Sequence, residues 1–95
     1  MSTVNASEVG SKLVDAGLGV GVAKATMGAL GIELVDFDTR QAWMVSGMRG
    51  KTSAAGLSLG DRACMALGIH LEVPVVTADR SWLDFTDLVD VVVVR

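Results

Sequence analysis

Val73-Pro74-Val75-Val76-Thr77-Ala78-Asp79 is the stretch on which the fold reading turns. Its apolar and β-branched residues run on without alternating with polar ones. That is the pattern of a strand buried on both faces, and Asp79 closes it. Residues 89–94, Val-Asp-Val-Val-Val-Val, repeat the pattern near the C-terminus. The stretches upstream of these strands carry helical spacing. Short buried strands separated by helices predict an α/β fold with a parallel sheet covered by helices on both faces.

Working outward, residues 58–71 predict a helix with Ser58 as N-cap. Upstream, Val9, Leu13 and Ala16 recur at helical spacing and predict a helix over 5–16. Gly17, Gly19 and Gly21 break it. They follow a helix rather than a strand, so they read as a helix–helix turn and not as a phosphate loop. A second helix is expected over 22–30, ending at Gly31, and a strand over 32–37. Asp38 and Thr39 can cap a helix to Met48, and residues 51–56 read as a polar loop.

Ninety-five residues, 51% hydrophobic and 20% charged, fit one small folded domain, residues 1–95, and exclude a disordered chain. No apolar run reaches the roughly 18 residues of a membrane span, so no membrane partner is expected. The first residues lack the basic and apolar regions of a signal peptide, and Cys64 is the single cysteine. A cytoplasmic location is the expectation that follows. The net charge is −3. Proteins that hold nucleic acid by neutralising phosphates are usually basic, so stable binding of that kind is disfavoured. An enzyme that reaches phosphate through a metal ion escapes this objection, because the cation supplies the charge.

Three carboxylates stand out by position. Glu8 and Asp61 are expected in the first turns of their helices, and Asp79 directly follows a strand. In a parallel sheet, strand C-termini and the starts of the following helices share one edge, where active sites gather. Clustered carboxylates repel one another, and a divalent cation such as Mg²⁺ or Mn²⁺ removes that penalty. Each acid also has a structural reading. Asn5-Ala6-Ser7-Glu8 and Ser58-Leu59-Gly60-Asp61 both have the shape of a capping box, and Asp79 can cap the turn after its strand.

The surroundings of these acids carry a resemblance. Leu57-Ser58-Leu59-Gly60-Asp61-Arg62-Ala63-Cys64, followed by residues 73–82, resembles the third and fourth acidic motifs of VapC-type PIN domains. Val4-Asn5-Ala6-Ser7-Glu8-Val9 resembles the second, glutamate-bearing motif. The closing apolar strand with its terminal Arg95 is also similar. The resemblance covers nearly all of the chain. It implies that Glu8, Asp61 and Asp79 are metal-site and catalytic acids, with Ser58 and Thr77 supporting them by hydrogen bonds. It further implies Mg²⁺ or Mn²⁺ as cofactor and hydrolysis of an RNA phosphodiester by metal-activated water. A small antitoxin protein and a second copy of the chain are the implied partners.

One departure shapes the expectation. The family begins with a central buried strand that ends in its first catalytic aspartate, and nothing before Val4 supplies these. The chain therefore reads as an N-terminally truncated PIN-like domain, impaired as a nuclease and prone to self-association through exposed strand edges. The alternative is a non-catalytic remnant that serves antitoxin binding or dimerisation. A receiver-like domain would also gather aspartates at strand ends, but it needs a lysine after a late strand, which is absent.

Other residues read as structural. Trp43, Met44 and Met48 form a helical stripe expected in the core, as is Cys64. His70 is expected at a helix end on the surface, and Asp84 and Asp87 in a solvated loop. Arg49, Lys51 and Arg80 read as surface charge, with guidance of RNA as the functional alternative.

Overall fold

In the computed structural model, Ser58 opens the central helix as its sequence pattern demands. Its hydroxyl accepts the Asp61 N–H at 3.1 Å, and the Asp61 carboxylate accepts the Ser58 N–H at 3.0 Å. This capping box starts α5, Leu59–Leu71. The helix ends at Glu72, which adopts the left-handed conformation at φ 56°. The structure describes residues 1–53 and 55–94; Arg95, the end of the expected C-terminal strand, lies outside them.

Four helices precede α5: α1, Thr3–Asp15; α2, Val20–Ala29; α3, Thr39–Gly47; and the short α4, Arg49–Thr52. After α5 come β1, Val75–Thr77, a 3-10 helix at Arg80–Phe85, and β2, Val91–Val93. β1 and β2 pair in parallel, Val75 opposite Val91 and Thr77 opposite Val93. The protein is thus a small α/β protein, mostly helical, with a two-stranded parallel sheet. The core gathers Val45, Met48, Met65, Ala66, Val75, Trp82, Phe85 and Val89.

Several expectations need correction. The sheet is covered on one face only: Val75 is buried, whereas Val76 on the opposite face is 62% exposed. Alternate residues of a strand point to opposite faces, and among the described residues no helix covers the Val76 side. The expected strand over 32–37 reduces to one parallel bridge between Ser2 and Val35. Only residues 1–3 lie alongside, with the Thr3 N–H donating to Val35 O at 3.0 Å and the Val35 N–H to Met1 O at 2.9 Å. Three residues cannot support a longer ladder.

The first helix begins two residues earlier than its spacing predicted. Ser2, not Asn5, is the N-cap; its hydroxyl accepts the Val4 N–H at 3.2 Å. Glu8 therefore sits in the second turn rather than the first. Residues expected as loop from Lys51 onward begin inside α4. The 3-10 helix, whose Trp82 and Phe85 are core residues, was not expected from residue spacing. Within the 43–48 stripe, Met48 is buried and Met44 packs at the core margin, but Trp43 is 72% exposed. The buried face of α3 is set by Gln41 and Val45. Trp43 lies two residues from each, about 200° round the helix, and faces solvent.

The Gly17 to Gly21 turn joins two helices as expected, with Gly17 at φ 89°. Cys64 is half-buried against the core, and burial pushes its thiol pKa up. Asp87 pairs with Lys51 at 2.7 Å on the surface, which holds its carboxyl below the ordinary range.

Candidate functional site at the start of the central helix

The site grows from the contact between α1 and the first turn of α5. Asn5 and Glu8, three residues apart, share one face of α1. The Asn5 side-chain amide donates to the Gly60 carbonyl at 3.0 Å and reaches Glu8 Oε1 at 3.4 Å. A Cβ added to Gly60 would fall on the Glu8 carboxylate. Glycine is therefore what lets that carboxylate lie against the backbone of α5. The position is one residue before Asp61 and at the positive end of the helix dipole.

Asp61 is committed in part to its capping box. Oδ2 accepts from Ser58, and Ser58 Oγ supports the helix start rather than a neighbouring ligand. Asp79 caps the 3-10 helix, its Oδ1 accepting the Ser81 N–H at 2.9 Å. Thr77 Oγ1 accepts the Asp79 N–H at 3.1 Å and fixes the turn beyond β1. The Ser81 hydroxyl and backbone N–H together hold the Asp79 carboxyl below its ordinary 3.8.

Helix α5 and strand β1 meet across the reversal at residues 72–74. Gly68 packs so closely on Val75 that a Cβ there would meet Val75 Cγ1 at 2.5 Å. From that contact, Asp61 lies about 10 Å back along the helix. Asp79 lies two residues beyond the end of β1, at the N-cap of the 3-10 helix. Glu8 is held against the α5 start.

Among the described residues, no three His, Cys, Asp or Glu side chains stand close enough to hold one metal ion. The hydrogen bonds to Glu8 and Asp61 fall on a single oxygen each, Oε1 and Oδ2, whereas the Asp79 carboxyl accepts from both the backbone N–H and the hydroxyl of Ser81. Glu8 Oε2 and Asp61 Oδ1 have no protein donor among the described residues. Such donors are the hard carboxylate oxygens that Mg²⁺ and Mn²⁺ prefer. Reasoning from sequence missed Asn5 and Gly60 as partners of Glu8. The available signal was Gly60 itself, a glycine in a first helical turn with no other reason to be there.

No protein-family model, no curated protein and no solved structure matches this chain.

Proposed function

We propose that the chain is a PIN-like domain of the VapC type and acts as a metal-dependent endoribonuclease of reduced activity. The observation that carries this reading is the placement of Glu8 against Gly60. It sets the second-motif glutamate against the residue that precedes the third-motif aspartate of the resemblance. The parallel bridge at Ser2 and Val35, together with the parallel β1–β2 pair, supports a PIN-like sheet arrangement. In this reading Glu8, Asp61 and Asp79 would hold Mg²⁺ or Mn²⁺ through their carboxylate oxygens, with Ser58 and Thr77 fixing the backbone around them. Such an ion supplies a water of lowered pKa and offsets charge on a scissile phosphate. The protein's own part is to orient the three carboxylates. RNA is the substrate, a small antitoxin the partner, the cytoplasm the location, and a homodimer the working state. Within these 95 residues the family's pattern of four acids is represented by three.

The second reading is a non-catalytic relative that retains only a protein-binding role. It is favoured by the capping duties of Asp61 and Asp79, each of which ties up one carboxylate oxygen. Calorimetric titration with Mn²⁺, beside cleavage of a mixed RNA pool, separates the two. The nuclease reading expects weak Mn²⁺ binding that disappears in the double variant Asp61→Asn, Asp79→Asn, together with slow Mn²⁺-dependent cleavage. Binding that survives the double variant, or no cleavage at any Mn²⁺ concentration, removes the nuclease reading.

A further inference from the structure

Helices α3 and α4 form one continuous stretch. The Met48 N–H donates to Met44 O at 3.2 Å and the Thr52 N–H to Met48 O at 3.0 Å, so the helical hydrogen bonding runs through the joint. Gln41, Val45, Met48 and Thr52 are buried, at the spacing of a single helical stripe. Trp43 stands on the opposite side, 72% exposed. The chain has two tryptophans and two phenylalanines. Trp82 and Phe85 lie in the core and Phe37 packs against it, so Trp43 alone gives its ring to solvent.

Arg40 and Gly47 are the neighbours of Trp43 on that outer face, three residues before it and four after, and Gly50 follows one turn on. A Cβ at Gly47 or Gly50 would meet no atom within 4 Å, so the surface beside the indole is open. Residues 39–53 carry Arg40, Arg49 and Lys51 and no acid, in a chain of net charge −3. Lys51 pairs with Asp87 at 2.7 Å. Arg40 and Arg49 are exposed, and among the described residues neither forms an ion pair. The acid that precedes them, Asp38, is engaged as the N-cap and accepts the Gln41 N–H.

We infer that the outer face of α3 binds single-stranded RNA, with one base stacked on the Trp43 indole and the flanking phosphates on Arg40 and Arg49. Ring and charge together select this occupant. An exposed indole is a face on which an unpaired base can stack, and unpaired arginines on either side of it along the helix supply the phosphate contacts that such a strand requires. The net negative charge of the chain does not oppose this. Charges beyond about 10 Å are screened in salt, and the stacking contact carries no charge. The inference rests on the reading of RNA as the substrate and deepens it by assigning a binding face apart from the three acids. Arg62, which follows Asp61, donates to Val45 O at 3.3 Å and holds α3 beside the start of α5.

Titration of the full chain with a labelled single-stranded RNA of about 12 nucleotides tests it. EDTA and low salt are used, with fluorescence anisotropy and tryptophan emission as the readouts. Trp43 emission should be quenched on binding, because stacking covers the indole; Trp82, 5% exposed, contributes a constant background. A duplex of the same sequence hides its bases and should leave the emission unchanged. Trp43→Ala should weaken binding on the order of tenfold, and Trp43→Phe should keep most of the affinity, since a phenyl ring also stacks. Both variants should match the parent in circular dichroism, because the ring lies outside the core. Arg40→Gln and Arg49→Gln should each lower the slope of log affinity against log salt by about 0.7. No binding, unquenched emission, or an affinity indifferent to Trp43→Ala overturns the inference and leaves this face to a protein partner. Equal losses in Trp43→Ala and Trp43→Phe also overturn it, because stacking would then play no part. The metal-free titration keeps the two readings apart. Slow Mn²⁺-dependent cleavage without quenching removes this inference and leaves the nuclease reading standing; quenching without cleavage does the reverse.

Discussion

The Glu8 carboxylate lies directly against Gly60, in the space that a side chain at position 60 would occupy. This single contact, braced by the Asn5 amide on the Gly60 carbonyl at 3.0 Å, couples the acid on α1 to the start of α5.

Gly60→Ala should therefore expel the Glu8 carboxylate while leaving the fold intact. The obstructing atoms are the far end of a flexible side chain, and alanine is the better helix former by about 1 kcal/mol. Melting temperature should stay level or rise. Mn²⁺ affinity, measured by calorimetry, should fall on the order of 10-fold, the scale of losing a group that orients a metal site. Unchanged affinity would detach Glu8 from the site.

Asp61 carries two roles that substitution can separate. Asp61→Asn keeps an oxygen to accept the Ser58 N–H and should melt within a few degrees of the parent. Asp61→Ala and Ser58→Ala each break the capping box. Each should cost about 1 kcal/mol, a fall of roughly 4–8 °C. If Asp61 serves metal as well as cap, Asp61→Asn loses Mn²⁺ binding and Ser58→Ala keeps most of it.

The lowered Asp79 pKa predicts a pH dependence of defined sign. A carboxyl whose folded pKa lies below its ordinary 3.8 stabilises the fold above that value. The contribution is lost as pH falls through the lowered folded value. Acid titrations followed by circular dichroism should show this loss in the parent and a flatter profile in Asp79→Asn. Steeper acid unfolding in Asp79→Asn would contradict the assignment to the Ser81 hydrogen bonds.

Gly68→Ala should be the most damaging of the glycine changes. Its Cβ would meet Val75 Cγ1 at 2.5 Å, and the Val73 carbonyl and Val89 Cγ2 at 3.1 Å. A backbone carbonyl and two packed valines yield little, so the cost should be about 1–3 kcal/mol. Urea unfolding of this variant beside Gly60→Ala sets a core-packing glycine against one that accommodates a carboxylate.

How much could be read in advance depended on the range of the interaction. Local patterns sufficed for the Ser58–Asp61 capping box and α5, for the glycine turn after α1, and for the two valine-rich strands. Those features are decided by hydrogen bonds and spacing within a few residues. The α1 boundary failed because Ser2 and Asn5 are equally good N-caps locally. Pairing of residues 1–3 with residues 33–35 selects Ser2. Trp43 failed because helical spacing gives a stripe without saying which way it faces; Gln41, 0% exposed, and Val45 settle that by turning their side of α3 inward.

By itself the sequence determined α5 with its Ser58–Asp61 capping box, the glycine turn after α1 and the two valine-rich strands. Tertiary structure alone decided that Glu8 rests on Gly60, that one sheet face stays open at Val76 and Val92, and that α1 and α2 leave an apolar groove between them. The physical reason is distance along the chain: Glu8 and Gly60 are more than fifty residues apart, and no local preference encodes a contact that only packing creates.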